Sequence, residues 1–181
     1  MLLVAAQASL LIVDVQTRLL PAMAEPERVV SRSKILLQAA ETLHIPVTVS
    51  EQYPKGLGYI VPELATNTAF KFEKLSFSCW RDAAMKEHFI KLHDDGRPLV
   101  VVAGIEAHVC VLQSCVDLYN AGFGVFAVAD AMSSRQGSSS DLAFERLRNA
   151  GIQVINTEMA VFELLEKAGT AEFKTLSALI K

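Results

Sequence analysis

The stretch Val100–Cys115, VVVAGIEAHVCVLQSC, changes character halfway along. Its first half, carried back to Leu99 as LVVVAGI, is an unbroken run of branched and small apolar residues. That pattern suits a strand covered on both faces. Its second half takes helical spacing, which predicts a helix from about His108 to Asn120, closed by Gly122. Cys110 therefore sits just past a strand-to-helix elbow, either as core packing or as a nucleophile.

The same alternation extends outward in both directions. ASLLIVDV (Ala8–Val15) reads as a strand and Arg28–Leu43 as a helix with apolar residues at helical spacing. IPVTVSEQ is a second strand, with Pro46 tolerated near its start. QYPKGLGYIVPEL is a long Gly- and Pro-containing loop, and TAFKFEK is a weaker third strand. Trp80–Leu92 reads as a helix and DDGRP as a turn. GVFAVAD is a fifth strand, Asp141–Asn149 a helix capped by Ser139 or Ser140, GIQVINT a sixth strand, and one or two short helices finish the chain. Strands alternating with helices give a parallel sheet with helices on both faces. The expectation is one three-layer α/β domain spanning residues 1–181.

Composition narrows the function classes. Half the residues are hydrophobic and a fifth are charged, which suits a globular protein with a sizeable core. The net charge of −3 offers no overall basic face for nucleic acid or an anionic membrane. Three cysteines, Cys79, Cys110 and Cys115, are too few and too odd in number for a disulfide framework. They fit a reducing compartment, so a cytoplasmic location is expected, with the mitochondrial matrix as the alternative. The apolar start lacks the positive flank of a signal peptide, and Asp14 interrupts it before it could span a membrane.

In a parallel sheet, ligands bind beyond the carboxyl ends of the strands. The polar residues there are Asp14 and Gln16 after strand one, Glu51, Gln52 and Tyr53 after strand two, Lys74 after strand three, Cys110 after strand four and Asp130 after strand five. Asp14, Lys74 and Cys110 supply a carboxylate, an ammonium and a thiol. The helix N-terminus and Lys74 are expected to lower the thiol pKa, because only a thiolate is a strong nucleophile. Asp14 would take the thiol proton and return it to a leaving group. Amides near Glu106 and Cys110 would face a developing oxyanion. Cys115, five residues past Cys110, faces elsewhere on the helix, and Cys79 reads as packing or a cap. The histidines show no paired ligand spacing, and there is no phosphate-binding loop or G-x-S-x-G elbow.

LLIVDVQ, FEKLSFS and GIEAHVCV, in that order, resemble the isochorismatase-like cysteine hydrolases. SEQYPKGLG, GIEAHVC and VADAMSSR look most like the isochorismatase-domain-containing proteins of that superfamily. The resemblance implies a Rossmann-like fold with a six-stranded parallel sheet. It implies a catalytic Asp14–Lys74–Cys110 triad, a non-proline cis peptide between Ile105 and Glu106, and an oxyanion hole from the Glu106 and Cys110 backbone N–H groups. Gln16, Tyr53, Phe77 and His108 flank these positions as pocket residues. It further implies a small-molecule substrate and a homo-oligomer.

Two departures refine this. The nicotinamidase branch binds a metal through an Asp and two His after its second strand. Here SEQYPKGLGYIVPEL has no histidine, so neither a metal, nor another cofactor, nor nicotinamide is expected. Isochorismatase itself cleaves a vinyl ether without needing the cysteine, so Cys110 favours hydrolysis of an amide or ester. Many members also carry Thr where this chain has Ala107. The alternative is a non-catalytic binding or scaffold protein that keeps the fold.

Overall fold

The computed structural model describes residues 1–180. Six strands form one sheet: β1 (Ala8–Val13), β2 (Val47–Gln52), β3 (Phe70–Lys74), β4 (Leu99–Ile105), β5 (Gly124–Ser133) and β6 (Gln153–Ile155). Their order is β3-β2-β1-β4-β5-β6, and every neighbouring pair is parallel. The chain walks outward from β1 to β3, then crosses back to lay β4 on the other side of β1. That reversal opens a crevice above the carboxyl ends of β1 and β4.

The unbroken apolar runs serve both faces of the sheet, because successive side chains point to opposite sides. On one face Leu10, Ile12, Val49 and Val101 pack under α1 (Pro26–Thr42) and α6 (Thr157–Leu165). On the other, Leu11, Val13, Val100 and Val102 pack under α3 (Ala83–Asp94), α4 (Leu112–Asn120) and α5 (Gly137–Asn149). Complete burial of a side chain such as Leu11 or Phe89 stabilises the fold by about 2 kcal/mol. A last helix, α7 (Ala171–Ser177), seats Leu176 against Ala39 and Val161.

Several boundaries differ from the sequence expectation, each for a local reason. Helix α3 starts at Ala83 rather than Trp80, because the Asp82 carboxylate accepts the Met85 N–H and caps it. Trp80 lies in a 3-10 turn, Cys79–Arg81. Helix α5 starts at Gly137 with Gln136 at its N-cap and no side-chain cap, so Ser139 and Ser140 lie inside its first turn. The helix expected from His108 is a π-helical turn, Ala107–Val111, that runs into α4. The loop after β2 contains the short helix α2 (Pro54–Leu57) and a 3-10 turn, Pro62–Leu64.

Strand β5 runs past Asp130 to Ser133 because its pairing with β4 shifts register between Val102 and Gly104. Asp130 then turns away from the crevice, and one carboxylate oxygen accepts both the Thr157 N–H and Oγ1–H at the start of α6. At Gly104 the backbone φ is +123° and β1 presses against β4. A Cβ there would overlap the backbone of Val13, so glycine is required for this close approach.

Candidate active site

Strand β1 ends at Val13, and the next residue, Asp14, takes a left-handed conformation with φ of 50°. Aspartate tolerates that geometry better than most residues. Its backbone stays tied to the sheet through Asp14 N–H to the Ser50 carbonyl, at 3.1 Å. The side chain, with no exposed surface, meets Lys74 from the end of β3: Nζ lies 2.7 Å from Oδ2. Ser50 Oγ donates to Oδ1 at 2.7 Å.

The Lys74 ammonium is surrounded by acceptors. Besides Asp14 it meets Gln52 Oε1 at 2.8 Å, the Phe77 carbonyl at 3.1 Å and the Ser76 carbonyl at 3.2 Å. An ammonium has three hydrogens, so four oxygens already exceed what it can donate. Lys74 therefore acts on the neighbouring sulfur by charge and not by a hydrogen bond. Burial works against its ammonium form, but the charge of Asp14 and its hydrogen bond hold the pKa above the usual lysine value.

Cys110 projects from the π-helical turn after β4 and is 6% exposed. The Ile105–Glu106 peptide before this turn is cis. The Val109 and Val111 N–H groups both donate to the Glu106 carbonyl. Its carboxylate accepts from Arg135 Nε at 3.0 Å. The charges of Asp14 and Lys74 both act on the Cys110 thiol.

The thiol's electrostatics correct the sequence expectation. Burial raises the Cys110 pKa well above the ordinary cysteine range, and the Asp14 charge adds to the rise. Lys74 pulls the other way without prevailing, because its charge is already paired with Asp14. The resting sulfur is a neutral thiol. Moving the proton from sulfur to the Asp14 carboxylate would leave Lys74 facing a thiolate beside a neutral acid. The net charge of the buried group does not change, so no new charge is created in a low-dielectric site.

Cys79 and Cys115 are also raised, chiefly by burial, Cys79 to about 11. All three thiols thus hold their protons more tightly in the folded chain than in the unfolded one. That contribution to stability is whole below about pH 8.5, the ordinary thiol value. It is lost as pH climbs through the folded values, Cys79's near 11. Urea midpoints are expected to fall steadily above about pH 9. A midpoint level up to about pH 11 would contradict thiol burial of this kind.

The other expected pocket residues fall into two groups. Gln16 is fully buried, and its amide is spent on the Gln52 N–H, the Gln52 carbonyl and the Gly58 carbonyl. It braces the loop after β2 and presents nothing to a ligand. Tyr53 and Phe77 are more than half exposed, and Phe77 reaches the triad through its carbonyl. His108 Nδ1 pairs with Ser134 Oγ at 2.9 Å. Tyr53 and Lys74 line a cleft of about 530 Å3 with Lys55, Leu75, Ser76 and Arg81. Cys110 is outside that lining. A larger cavity, about 930 Å3, lies at the opposite end of the strands beside Pro46 and Arg97, away from the triad.

Sequence reasoning gave Gln52 no role and did not consider Ser50 or Ser114. The signal for the first two lay in VTVSEQ, whose residues are all buried. Polar residues closing a strand buried on both faces must find polar partners. Among the described residues, no group of three or more His, Cys, Asp or Glu could hold a metal ion. Nor is any helix there long and apolar enough to cross a membrane.

Comparison with known proteins bears on this arrangement. Residues 8–159 match the model of the isochorismatase domain. The chain is 37% identical over 172 residues to isochorismatase domain-containing protein 2 of Danio rerio, covering 94% of this chain and 85% of that one. The structure named as MAR1 ribonuclease from Caenorhabditis elegans superposes with a TM-score of 0.90 at 33% identity, over 99% of this chain and 92% of the other. The YcaC gene product of Escherichia coli, described as an octameric hydrolase of unknown specificity, superposes at 0.88 with 25% identity, over 98% and 90%. The domain match, the identity over most of both chains and the shared six-stranded sheet agree, and the chain belongs to the isochorismatase family.

Proposed function

We propose that this isochorismatase-family chain is a cysteine hydrolase acting on a small amide or ester, with no metal in its chemistry. The observation that carries the reading is the buried Asp14–Lys74 pair at 2.7 Å standing against the Cys110 thiol. A protein that only binds has no use for a carboxylate, an ammonium and a thiol buried together, each costly to desolvate.

Asp14 takes the Cys110 proton as the sulfur attacks the substrate carbonyl. The oxygen that becomes negative is met by the backbone N–H groups of Glu106 and Cys110. When the tetrahedral intermediate collapses, the C–N or C–O bond breaks and Asp14 returns its proton to the departing amine or alcohol. A thioester remains on Cys110. Water, relieved of a proton by Asp14, then attacks it and releases the acid and the free thiol. Lys74 stays protonated throughout, and its fixed charge favours the states in which sulfur is anionic.

Three free cysteines fit a reducing, cytoplasmic setting. The exposed Tyr53 and Leu75 at the cleft, together with the octameric E. coli relative, support a homo-oligomer. A monomeric mass by light scattering would count against it. The test of function is a panel of small amides and esters, followed by mass spectrometry of the Cys110 peptide. A hydroxylamine-sensitive acyl adduct on Cys110 is expected with any substrate whose deacylation is slow. Cleavage of RNA with no turnover of amides or esters, as the name of the C. elegans relative would have it, would replace this reading.

A further inference from the structure

Three buried groups adjoin the triad without a part in the reaction above: Ser50, Cys79 and Ser114. The single hydroxyl hydrogen of Ser50 is committed to Asp14 Oδ1 at 2.7 Å. In the 3.6 Å contact between Ser50 Oγ and Cys79 Sγ the sulfur is therefore the donor. Burial, then the charge of Asp14, keeps that proton on Cys79. From the same residue, the Cys79 N–H donates to Ser114 Oγ at 2.9 Å, and Ser114 Oγ–H donates to the Cys110 carbonyl at 2.7 Å. A continuous chain of donors thus runs from the base to the nucleophile's turn behind the triad. Asp14, Ser50, Cys79 and Ser114 have no exposed surface.

We propose that Ser50 is a positioning residue for the Asp14 base, its hydroxyl aimed by the Cys79 S–H behind it. This rests on the reading of Asp14 as the base for Cys110. Ser50 holds one carboxylate oxygen and Lys74 the other, which fixes the plane of the group and leaves its remaining lone pairs for the thiol proton. A hydrogen bond to an ionised carboxylate also favours the ionised form. The titratable groups facing Asp14 are Lys74 from β3, Cys79 from the turn before α3 and Cys110 from the turn after β4. Removing the Ser50 donor leaves Lys74 alone to hold the carboxylate and frees its other oxygen to turn.

The experiment follows Cys110 alkylation by iodoacetamide, read on the Cys110 peptide, across about pH 3 to 10, a span that starts below ordinary carboxylate ionisation. With Asp14 as base, the wild-type rate rises with the base form of the carboxylate and then levels off, because the raised thiol keeps its own proton over this span. In Ser50→Ala the rise is expected to move to higher pH. Ser50→Thr, which keeps the donor, returns it to the wild-type position. Cys79→Ala, which only loosens the aim of Ser50, shifts it the same way by less. A rise at the same pH in Ser50→Ala overturns the inference, and so does a uniform loss of rate at every pH, the mark of a merely loosened fold. A wild-type profile with no level region removes Asp14 as the base, and the reading and the inference fall together. A level region present but unmoved removes the inference alone.

Discussion

Replacing Cys110 with alanine is expected to leave a folded chain that no longer turns over small amides or esters. The loss should be about 10^3-fold or more, because the acyl group then has nowhere to attach. The fold should survive, since Cys110 contributes one small side chain to a core cluster shared with larger residues such as Leu118 and Phe89. The cost in stability should stay near 1 kcal/mol. The control is Cys115→Ala, which removes a fully buried thiol on α4 that touches none of the reacting groups. Its turnover should match the wild type. Turnover retained in Cys110→Ala would transfer the chemistry elsewhere. Retention of every biological effect by that variant would favour a binding or scaffold role.

Lys74→Met is expected to be the most destabilising exchange at the site. It keeps the length and packing of the side chain and removes the charge that balances Asp14. Breaking a buried ion pair from one side costs about 3–5 kcal/mol, because the other charge is stranded. A carboxylate stranded in a buried site is costly only while it is charged. The deficit should therefore shrink as pH falls and Asp14 becomes neutral. Adding Asp14→Asn to Lys74→Met removes the stranded charge and should recover much of the loss at pH 7 while leaving the chain inactive. Denaturation midpoints of the two single variants and the double variant measure this coupling. A Lys74→Met chain as stable as the wild type would mean that water reaches the pair.

The architecture was legible because the sheet is buried on both faces. LVVVAGI could hardly be anything but a central strand, and β4 spans those residues from Leu99 to Ile105. The strand ends, read together, also placed Asp14, Lys74 and Cys110 at one rim. What the sequence could not convey is how charges share a confined space. Lys74 was expected to lower the thiol pKa, but its charge is paired with Asp14 and its hydrogens go to four oxygens. The sulfur therefore holds its proton. Gln16 misled for a related reason: a polar residue beside a site can be consumed by backbone groups. Asp130 misled because the register shift in β5 turns it toward α6, and a shift of that kind leaves no mark in a run such as GVFAVADAMS.

Lys74 is mounted on β3, one of the two border strands, which pairs only with β2 and leaves Phe70 half exposed. A border strand can detach while the middle of the sheet stays intact. Such partial opening would withdraw the ammonium from sulfur and switch off the chemistry in a molecule that calorimetry would still count as native. Deuterium uptake at the Phe72 and Lys74 amides would then follow the silent fraction more closely than any melting temperature.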